Sequence, residues 1–184
     1  MGKICKSWDV FSSKTILIAA VLALFASVGT ASAETTLEKI KRTGKTTVGT
    51  EAAFPPFEFI KDGKIVGYGK DILDYIIADL GVELNQLDLP WQGILPGVLA
   101  GKFDFVATSV SIRPERVVKY AYTVPIAEGT VWTMKRAGDD RINSIDDLVG
   151  KVVGTQLASG GEANSKEFEA KLKERGLGGY KALK

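Results

Sequence analysis

The chain of 184 residues carries 24 lysines and arginines against 22 aspartates and glutamates, contains no histidine and has a single cysteine, Cys5. The absence of histidine excludes His-based triads and imidazole acid–base catalysis, and with one cysteine it also excludes a His/Cys metal cluster. The near balance of charge argues against a nucleic acid or an anionic membrane surface as a partner.

The first 33 residues have the pattern of a cleavable secretory signal peptide. Three lysines precede an uncharged, mostly apolar run over residues 16–28, and Ala31-Ser32-Ala33 supplies the small residues of a cleavage site. The run is too short to span a bilayer comfortably, which leaves an uncleaved anchor as the weaker alternative. We therefore predict a mature chain of 151 residues that starts at Glu34, with 21 basic and 21 acidic residues and no cysteine.

The first half of the mature chain alternates strand and helix signals. A short helical segment at residues 36–41 precedes a strand at 46–51, which runs into a proline-containing loop. Asp62-Gly63 then predicts a hairpin between the segments 57–60 and 64–66, because this dipeptide favours the positive backbone angles of a two-residue turn.

Two helices and two further strands follow. Apolar residues repeat at helical spacing up to the stop signal Gly81, and a second helix at about 93–100 ends at Gly101. Strands at 82–89 and 103–108 flank the second helix, so the order βαβαβ predicts an α/β fold with a parallel sheet covered by helices. The residues expected on the buried face of the first helix are Ile72, Ile76, Ile77 and Leu80.

A second lobe is predicted to begin where the chain leaves this sheet, around residues 122–129. Val131-Trp132-Thr133-Met134 predicts a fresh strand, and Ser144-Ile145-Asp146-Asp147 resembles a helix-capping box. Residues 152–155 predict another strand, and a turn at 158–162 leads into a further helix. The predicted divisions are a signal peptide at 1–33, lobe one at 34–126 and a partial lobe two at 127–184.

A run of hydroxyls and an arginine follow the strand at 103–108. The proline two residues before Arg116 suits a first helical position, so a helix is predicted to begin directly after the turn. In open α/β sheets ligands collect at the carboxyl ends of strands, where the free N–H groups and dipole of a following helix favour an anion. Thr108, Ser109 and Ser111 can donate hydrogen bonds to that anion, and Arg116 can add a two-pronged contact. The alternative is a solvated loop whose hydroxyls only form turns.

Six motifs in one order carry a family resemblance. They are Gly49-Thr50-Glu51, Phe54-Pro55-Pro56-Phe57-Glu58-Phe59, Gly67-Tyr68-Gly69-Lys70-Asp71-Ile72, Trp91-Gln92-Gly93-Ile94-Leu95-Pro96, Gly101-Lys102-Phe103-Asp104 and Ser109-Val110-Ser111-Ile112-Arg113-Pro114-Glu115-Arg116. Together they resemble the family-3 extracellular solute-binding proteins, which serve ABC importers for amino acids. The resemblance covers nearly all of residues 36–184, and the combination is far more specific than any one motif.

The resemblance implies a two-lobed periplasmic-binding-protein fold, with lobe one nearly complete in this chain and lobe two partial. It implies a periplasmic monomer, without cofactor or metal, that binds an amino acid between its lobes and serves an inner-membrane ABC permease. In such a protein, closure of the lobes about hinge strands is the signal that the permease reads. The resemblance implies a binding protein and no enzyme.

The resemblance also implies roles for the hydroxyls and the arginine. Ser109, Ser111 and Arg116 would hold the α-carboxylate of the ligand, and Ser159 of lobe two would close on it from across the cleft. Thr108 matches a position whose backbone or hydroxyl often contacts the α-amino group.

Three more residues match the part of the site nearer the ligand side chain. Glu51 would lie near the side-chain end, and Phe54 and Trp91 fall where the family holds the ligand between aromatic faces. Aromatic faces supply apolar area and, for a cationic ligand, cation–π attraction. The alternative for both rings is ordinary core packing, less so for Phe54 in its proline loop. These residues favour a polar or cationic ligand without identifying it.

Three departures from the family pattern stand out. Arg113 occupies the helix-cap position where the family usually has Thr or Ser, and Gly160 replaces a Thr or Ser of the second-lobe turn. The third is that Lys184 is reached where the family continues, so the aspartate that grips the α-ammonium would lie beyond it. We expect this apparent fragment to keep the carboxylate half-site and to bind amino acids weakly or not at all.

Two other functions stay open. Periplasmic dehydratases that act on cyclohexadienyl acids share this fold, and Glu51 is the candidate acid for such a reaction here. An extracytoplasmic sensor module is the other alternative.

Overall fold

The computed structural model describes residues 33–183, so residues 1–32 of the predicted signal peptide lie outside the described residues. The first helix, α1 (Thr36–Thr43), confirms the predicted helical segment. Its first turn is capped reciprocally, because the Thr35 N–H donates to Glu38 Oε2 (2.8 Å) and the Glu38 N–H donates to Thr35 Oγ1 (3.2 Å).

The chain from Ile40 onward forms a second compact unit, separate from residues 33–39, and it holds the described strands. The main sheet of this second unit has three parallel strands, with the first strand in the centre. Two helices connect the strands, which confirms the predicted βαβαβ order. In chain order the elements are β1 (Lys45–Thr50), α2 (Tyr68–Leu80), β5 (Glu83–Asp88), α3 (Trp91–Leu99) and β6 (Phe105–Val106).

Strand β6 is shorter than the predicted strand at 103–108. Only Phe105 and Val106 pair with β1, opposite Val48 and Gly49. Phe103, just before the strand, is only 5% exposed because its side chain turns into the core. Of the predicted strand, only Phe105 and Val106 form a ladder, and Phe103 fills the core instead.

A small antiparallel sheet inserts between β1 and α2. Strands β3 (Glu58–Lys61) and β4 (Lys64–Val66) form the predicted hairpin. Asp62 and Gly63 both have positive φ, 50° and 73°, as a two-residue turn of this kind requires. Strand β2 (Ala53–Phe54), which pairs with β3, was predicted only as a loop.

The buried stripe of α2 differs from the predicted one. Leu73 is 3% exposed and lies in line with Ile77 and Leu80 at the i, i+4, i+7 spacing of one helix face. Ile76, which was predicted to be buried, is 42% exposed. The prediction therefore found the helix and misplaced one residue of its buried face.

The ring of Phe103 fixes the separation of β1 and α3. It lies against Gly49 of β1 and Gly97 of α3, and a methyl group added at either glycine would stand 2.6 Å from a ring carbon. That distance is far below ordinary contact, so no side chain fits at either position while the ring is in place.

The segment after β6 forms a single helical turn, α4 (Pro114–Val117), and then loses regular structure. Between Val118 and Ile145 the described chain has no helix or strand, so the predicted strand at 131–134 is wrong. No strand pairs with that segment, and Trp132 and Met134 are 81% and 92% exposed. An apolar sequence forms a strand only where a neighbour satisfies its backbone groups.

The C-terminal part builds a second, smaller βαβ arrangement. Its strands pair in parallel, and its core is formed by Leu148, Leu172 and Tyr180. The predicted capping box at 144–147 forms only in part. Asp147 Oδ2 accepts from the Ser144 N–H (2.8 Å) and from its hydroxyl (3.0 Å), but the turn that follows is a 3-10 turn whose N-cap is Ile145, with no side-chain cap bond. The elements are that turn (Asp146–Leu148), β7 (Val152–Gly154), α5 (Gly160–Glu174) and β8 (Lys181–Leu183).

Two glycines of α3 give a matched test of the Phe103 contact. We expect Gly97→Ala to lower the free energy of unfolding by about 1–3 kcal/mol, because the added methyl collides with the ring. Gly93→Ala, in the same helix but with open space around it, should raise it by about 0.5–1 kcal/mol. Urea unfolding of both variants measures the difference, and equal effects would show that the ring tolerates the methyl.

Candidate functional site

The candidate site lies at the carboxyl edge of the parallel sheet. Strand order reverses at β1, and such a reversal is where ligands of open α/β sheets bind. Buried Thr50 ties the strand ends together, because its hydroxyl donates to the Ala107 carbonyl (2.8 Å) and accepts from Gln86 Nε2 (2.9 Å). Glu51 and Thr108, the residues that follow these strand ends, are thereby brought to one edge.

Arg116 is the buried charge of this edge, with 8% of its surface exposed. Its Nη1 donates to the Ser111 carbonyl (3.2 Å) and its Nη2 donates to the Ala158 carbonyl (3.0 Å). The guanidinium carbon also stands 5.3 Å from the centroid of the Trp91 ring, within cation–π range. Within residues 33–183 no ion pair joins Arg116 to a carboxylate. A buried guanidinium whose hydrogen bonds among residues 33–183 go to backbone carbonyls keeps its positive charge and favours an anion.

The helix that begins after this turn is shorter than the anion-binding argument from sequence assumed. Arg113 is its N-cap with extended backbone, Pro114 is the first helical residue and Arg116 is the third, as predicted. The helix ends at Val117, however, after four residues. One turn has few aligned peptide dipoles, so the side chain of Arg116 rather than a helix dipole supplies the positive charge.

Glu58 holds the other end of the same turn. This residue of β3 is 2% exposed, and its Oε1 accepts from the Ser109 hydroxyl at 2.7 Å. The Thr108 hydroxyl reaches Oε2 at 3.4 Å. Burial raises the pKa of Glu58 above 4.5, although the hydrogen bonds from Ser109 and Thr108 oppose that shift. The hydroxyl protons of Ser109 and Thr108 thus point to an internal acid, whereas the sequence suggested donation to a ligand.

Two hydrogen bonds join this edge to the turn before α5. Gln156 Nε2 donates to Glu51 Oε1 (2.5 Å), and the Ala158 carbonyl accepts from Arg116 (3.0 Å). Ala158 has a positive φ of 60°, which is uncommon for a residue other than glycine. The structure thus brings Glu51, Arg116 and the turn before α5 together.

Ser159 occupies the N-cap of α5. Its hydroxyl oxygen accepts from the Glu162 N–H (3.2 Å), and Glu162 Oε2 in return accepts from the Ala158 N–H (2.6 Å). This is a variant of the capping box, in which the acid binds the N–H of the residue before the N-cap, so Ser159 has a structural task besides any contact with a ligand. Its hydroxyl proton is not used by the cap.

The two predicted aromatic contacts have different surroundings. Trp91 is 8% exposed and carries the Arg116 guanidinium over its ring. Phe54 is 48% exposed and stacks on Phe57, with ring centroids 5.5 Å apart. Among the described residues no ring contact joins Phe54 to Trp91, and the placement of a ligand between these two rings stays a prediction.

Two of the three departures from the family pattern, Arg113 and Gly160, are accommodated by their surroundings. Arg113 pairs with Glu115 (2.6 Å) and donates to Asn164 Oδ1 of α5 (3.1 Å), so its charge is compensated. A methyl group at Gly160 would stand 3.7 Å from Arg113 Nη1 and 3.8 Å from Ser111 Oγ, which is ordinary contact. A larger side chain therefore fits at position 160.

Sequence reasoning gave no role to Glu58 or to Gln156. Glu58 lies between two phenylalanines in a strand-like segment, and an acid in such a place signals either an exposed strand face or a buried partner. Gln156 had no comparable signal, since its partner Glu51 is 105 residues away. Within residues 33–183 no helix is both long and apolar enough to cross a membrane, and no group of three or more His, Cys, Asp or Glu side chains could hold a metal ion.

The comparison with known families covers most of the chain. Residues 46–175 match the bacterial extracellular solute-binding proteins, family 3. The chain belongs to this family, which confirms the resemblance found in the sequence motifs.

Individual relatives agree with that assignment. The L-cystine-binding protein TcyJ of Escherichia coli (strain K12) is 32% identical over 145 residues, which are 78% of this chain and 54% of TcyJ. The arginine-bound form of truncated ArgBP from T. maritima has a TM-score of 0.65 and 30% identity, covering 79% of this chain and 66% of that one. An ancestral amino-acid-binding protein, described as a precursor of cyclohexadienyl dehydratase, has a TM-score of 0.64 and 30% identity over 81% of this chain and 65% of its own.

These matches define the fold. The chain is a mixed α/β protein that covers part of the two-lobed fold of periplasmic amino-acid-binding proteins. It spans about half the length of TcyJ.

The capping role of Ser159 can be separated from a ligand role by two substitutions. Ser159→Ala should lower the free energy of unfolding by about 1 kcal/mol, because the Glu162 N–H loses its acceptor. Ser159→Asp supplies another cap acceptor and should change it by no more than a few tenths of a kcal/mol. Urea unfolding checks both values, and an unchanged Ser159→Ala variant would mean that the hydroxyl does not cap α5.

Proposed function

We propose that this chain is the solute-binding component of an ABC importer for amino acids, secreted to the periplasm by the signal peptide at 1–33. Its ligand is an amino acid whose α-carboxylate is held by Arg116 and the Ser111 hydroxyl, with Ser159 approaching from the second-lobe turn. Its partner is an inner-membrane permease, and the protein acts as a monomer without cofactor. The family match and the named ligands of its relatives support the class of ligand.

The observation that carries the proposal is the environment of Arg116. The guanidinium is buried, touches backbone carbonyls and an aromatic face, and has no carboxylate in an ion pair among the described residues. Its carbonyl partners are the backbones of Ser111 and Ala158, which belong to the two predicted lobes. A carboxylate that enters here can replace these carbonyls with a stronger, charge-assisted pair.

The proposed lobe boundary lies at residues 126 and 127, so that 34–126 and 127–184 face each other across the ligand. The contacts Gln156–Glu51 and Ala158–Arg116 cross this boundary. We propose that Glu51 and Phe54 contact the ligand side chain and that Trp91 acts by holding the guanidinium of Arg116 in place. A carboxylate and an exposed ring suit a polar or cationic side chain.

Binding is favoured over catalysis by the surroundings of Glu51. A dehydratase needs an acid free to transfer a proton, and the carboxylate of Glu51 accepts a hydrogen bond from Gln156 (2.5 Å). The solved neighbour that is described as a dehydratase precursor is itself described as an amino-acid-binding protein. Incubation with arogenate or prephenate distinguishes the classes, because aromatic product would establish the enzyme. A sensor role has no specific observation in its favour.

Replacement of Arg116 tests the carboxylate site. Isothermal titration of the purified chain with L-arginine, L-glutamine, L-histidine and L-cystine, each to millimolar concentration, identifies the ligand and tests the predicted weak binding. Arg116→Lys should weaken binding of that ligand about tenfold or more, because lysine cannot make the two-pronged contact. Arg175→Lys is the matched control, since Arg175 is an exposed arginine that pairs with Asp146.

The outcomes of this titration are distinct. Equal affinities of the wild-type chain and the Arg116→Lys variant, with both folded, would overturn the assignment of the carboxylate to Arg116. Micromolar affinity of the wild-type chain for any of the four amino acids would contradict the expectation that this chain binds amino acids weakly or not at all.

A substitution at Gly160 tests the second-lobe turn. Gly160→Ser should fold normally, since a Cβ atom at this position would lie 3.7 Å from its nearest neighbour, Arg113 Nη1. It should strengthen ligand binding by adding a hydroxyl near Ser111 and Arg113. Gly161→Ser in the same turn is the control, because its nearest neighbour is the Ser159 hydroxyl. Titration with the ligand identified above measures both, and a weaker Gly160→Ser variant would place the ligand elsewhere.

A further inference from the structure

We propose that Glu58 is a positioning residue that turns the Ser109 and Thr108 hydroxyls into hydrogen-bond acceptors for the α-ammonium of the ligand. The inference rests on the proposed function and deepens it, because it assigns the second charged group of the amino acid to a part of the same turn. Arg116 and Ser111 then take the carboxylate end, and Thr108 and Ser109 take the ammonium end.

The hydroxyl protons of Ser109 and Thr108 are both directed at Glu58. A serine or threonine hydroxyl has one proton to donate and lone pairs that accept. The proton of Ser109 is directed at Glu58 Oε1, 2.7 Å away, and that of Thr108 at Oε2, 3.4 Å away. What these hydroxyls offer to a ligand is therefore their lone pairs, and an ammonium donates to lone pairs.

The negative charge of Glu58 acts on the two hydroxyls. An ionised Glu58 polarises the hydroxyls that donate to it, so part of its negative charge is expressed on their outward lone pairs. Glu58 itself is 2% exposed and does not reach solvent. It thereby acts on a ligand through Ser109 and Thr108 rather than by contact.

The carboxylate of Glu58 is held in place by its neighbours. Gly69, in the first turn of α2, lies so close to Glu58 Oε1 that a methyl group there would collide with the carboxylate. The carboxylate is thus enclosed by α2 on one side and by the turn with Ser109 on the other. A carboxylate held in this way keeps both hydroxyls in one orientation.

The charged groups around Glu58 set the direction of its titration. Glu51 raises its pKa by charge repulsion, in the same direction as burial. On α2, Lys70 follows Gly69 and pairs with Asp74. The hydrogen bonds from Ser109 and Thr108 lower the pKa, and burial outweighs them.

The inference predicts a pH dependence with a definite sign. When Glu58 is protonated it donates its own proton to one hydroxyl, and that hydroxyl then presents a proton to the ligand and repels an ammonium. The preference for a ligand with an α-ammonium should therefore increase as the pH rises through the pKa of Glu58, above 4.5. Because that pKa is raised in the folded state, the ionised form also costs stability, and the stability of the chain falls over the same range.

The test compares two ligands that differ only in the α-ammonium. We expect the full chain to bind L-arginine at least about tenfold more tightly than 5-guanidinopentanoic acid at pH 7, since a charged hydrogen bond is at stake. Glu58→Gln should leave the affinity for 5-guanidinopentanoic acid within about twofold and abolish the preference, because the amide donates where the carboxylate accepted. Titration calorimetry at several pH values between 4.5 and 7.5 should show a preference that rises in the wild-type chain and stays flat in Glu58→Gln.

A pair of variants at position 109 guards against loss of folding. Ser109→Ala removes the acceptor and keeps Glu58, so it should lose the preference, and Ser109→Thr restores a hydroxyl and should recover it. Urea unfolding establishes that each variant is folded. If Glu58→Gln does not fold, the Ser109 pair decides the question.

Each outcome has one meaning. Equal weakening of both ligands by Glu58→Gln, or a wild-type preference that does not change with pH, would reduce Glu58 to a structural residue and overturn the inference while the proposed function stands. Loss of the preference in Ser109→Ala with recovery in Ser109→Thr supports the inference. Absence of binding of either ligand to the wild-type chain overturns both the inference and the assignment of an arginine-like ligand.

Discussion

A buried guanidinium bound to two backbone carbonyls is the interaction on which the site depends. Arg116 connects the turn after β6, through Ser111, to the turn before α5, through Ala158. These two segments are distant in sequence, and each is anchored to its own parallel strand arrangement. Because a carbonyl satisfies the donors of a guanidinium without cancelling its charge, the contact joins the two parts and leaves a positive centre between them.

The short turn between β6 and α4 is charged at both of its ends. Glu58 underlies Ser109 at one end, and Arg116 reaches back to Ser111 at the other. Glu58 and Arg116 each hydrogen-bond to the turn and not to each other, so their opposite charges form a local dipole across a few residues. An amino acid is itself a dipole of that kind. Under the function proposed above, the match of these two dipoles favours a zwitterion over a simple acid or a simple amine.

Much of the fold was predictable because it is encoded locally. The Asp62-Gly63 hairpin and the crossover helices follow from signals within a few residues. The apolar segment at 131–134 misled because strand formation depends on a partner that its own sequence does not specify. For the site, the sequence found Arg116 and the hydroxyls. It did not find the Ala158 carbonyl, 42 residues away, since a backbone atom placed by a positive φ has no residue-type signature.

The stacking of Phe103 between two glycines has an evolutionary consequence. Gly49, Gly97 and Phe103 share one small volume, so a change at one position alters what the other two tolerate. A larger residue at either glycine becomes acceptable only after Phe103 has been replaced by a smaller side chain. A smaller residue at 103 leaves a void unless a larger residue replaces one of the glycines. Homologous sequences should therefore vary at these three sites as a correlated set, with intermediate combinations depleted.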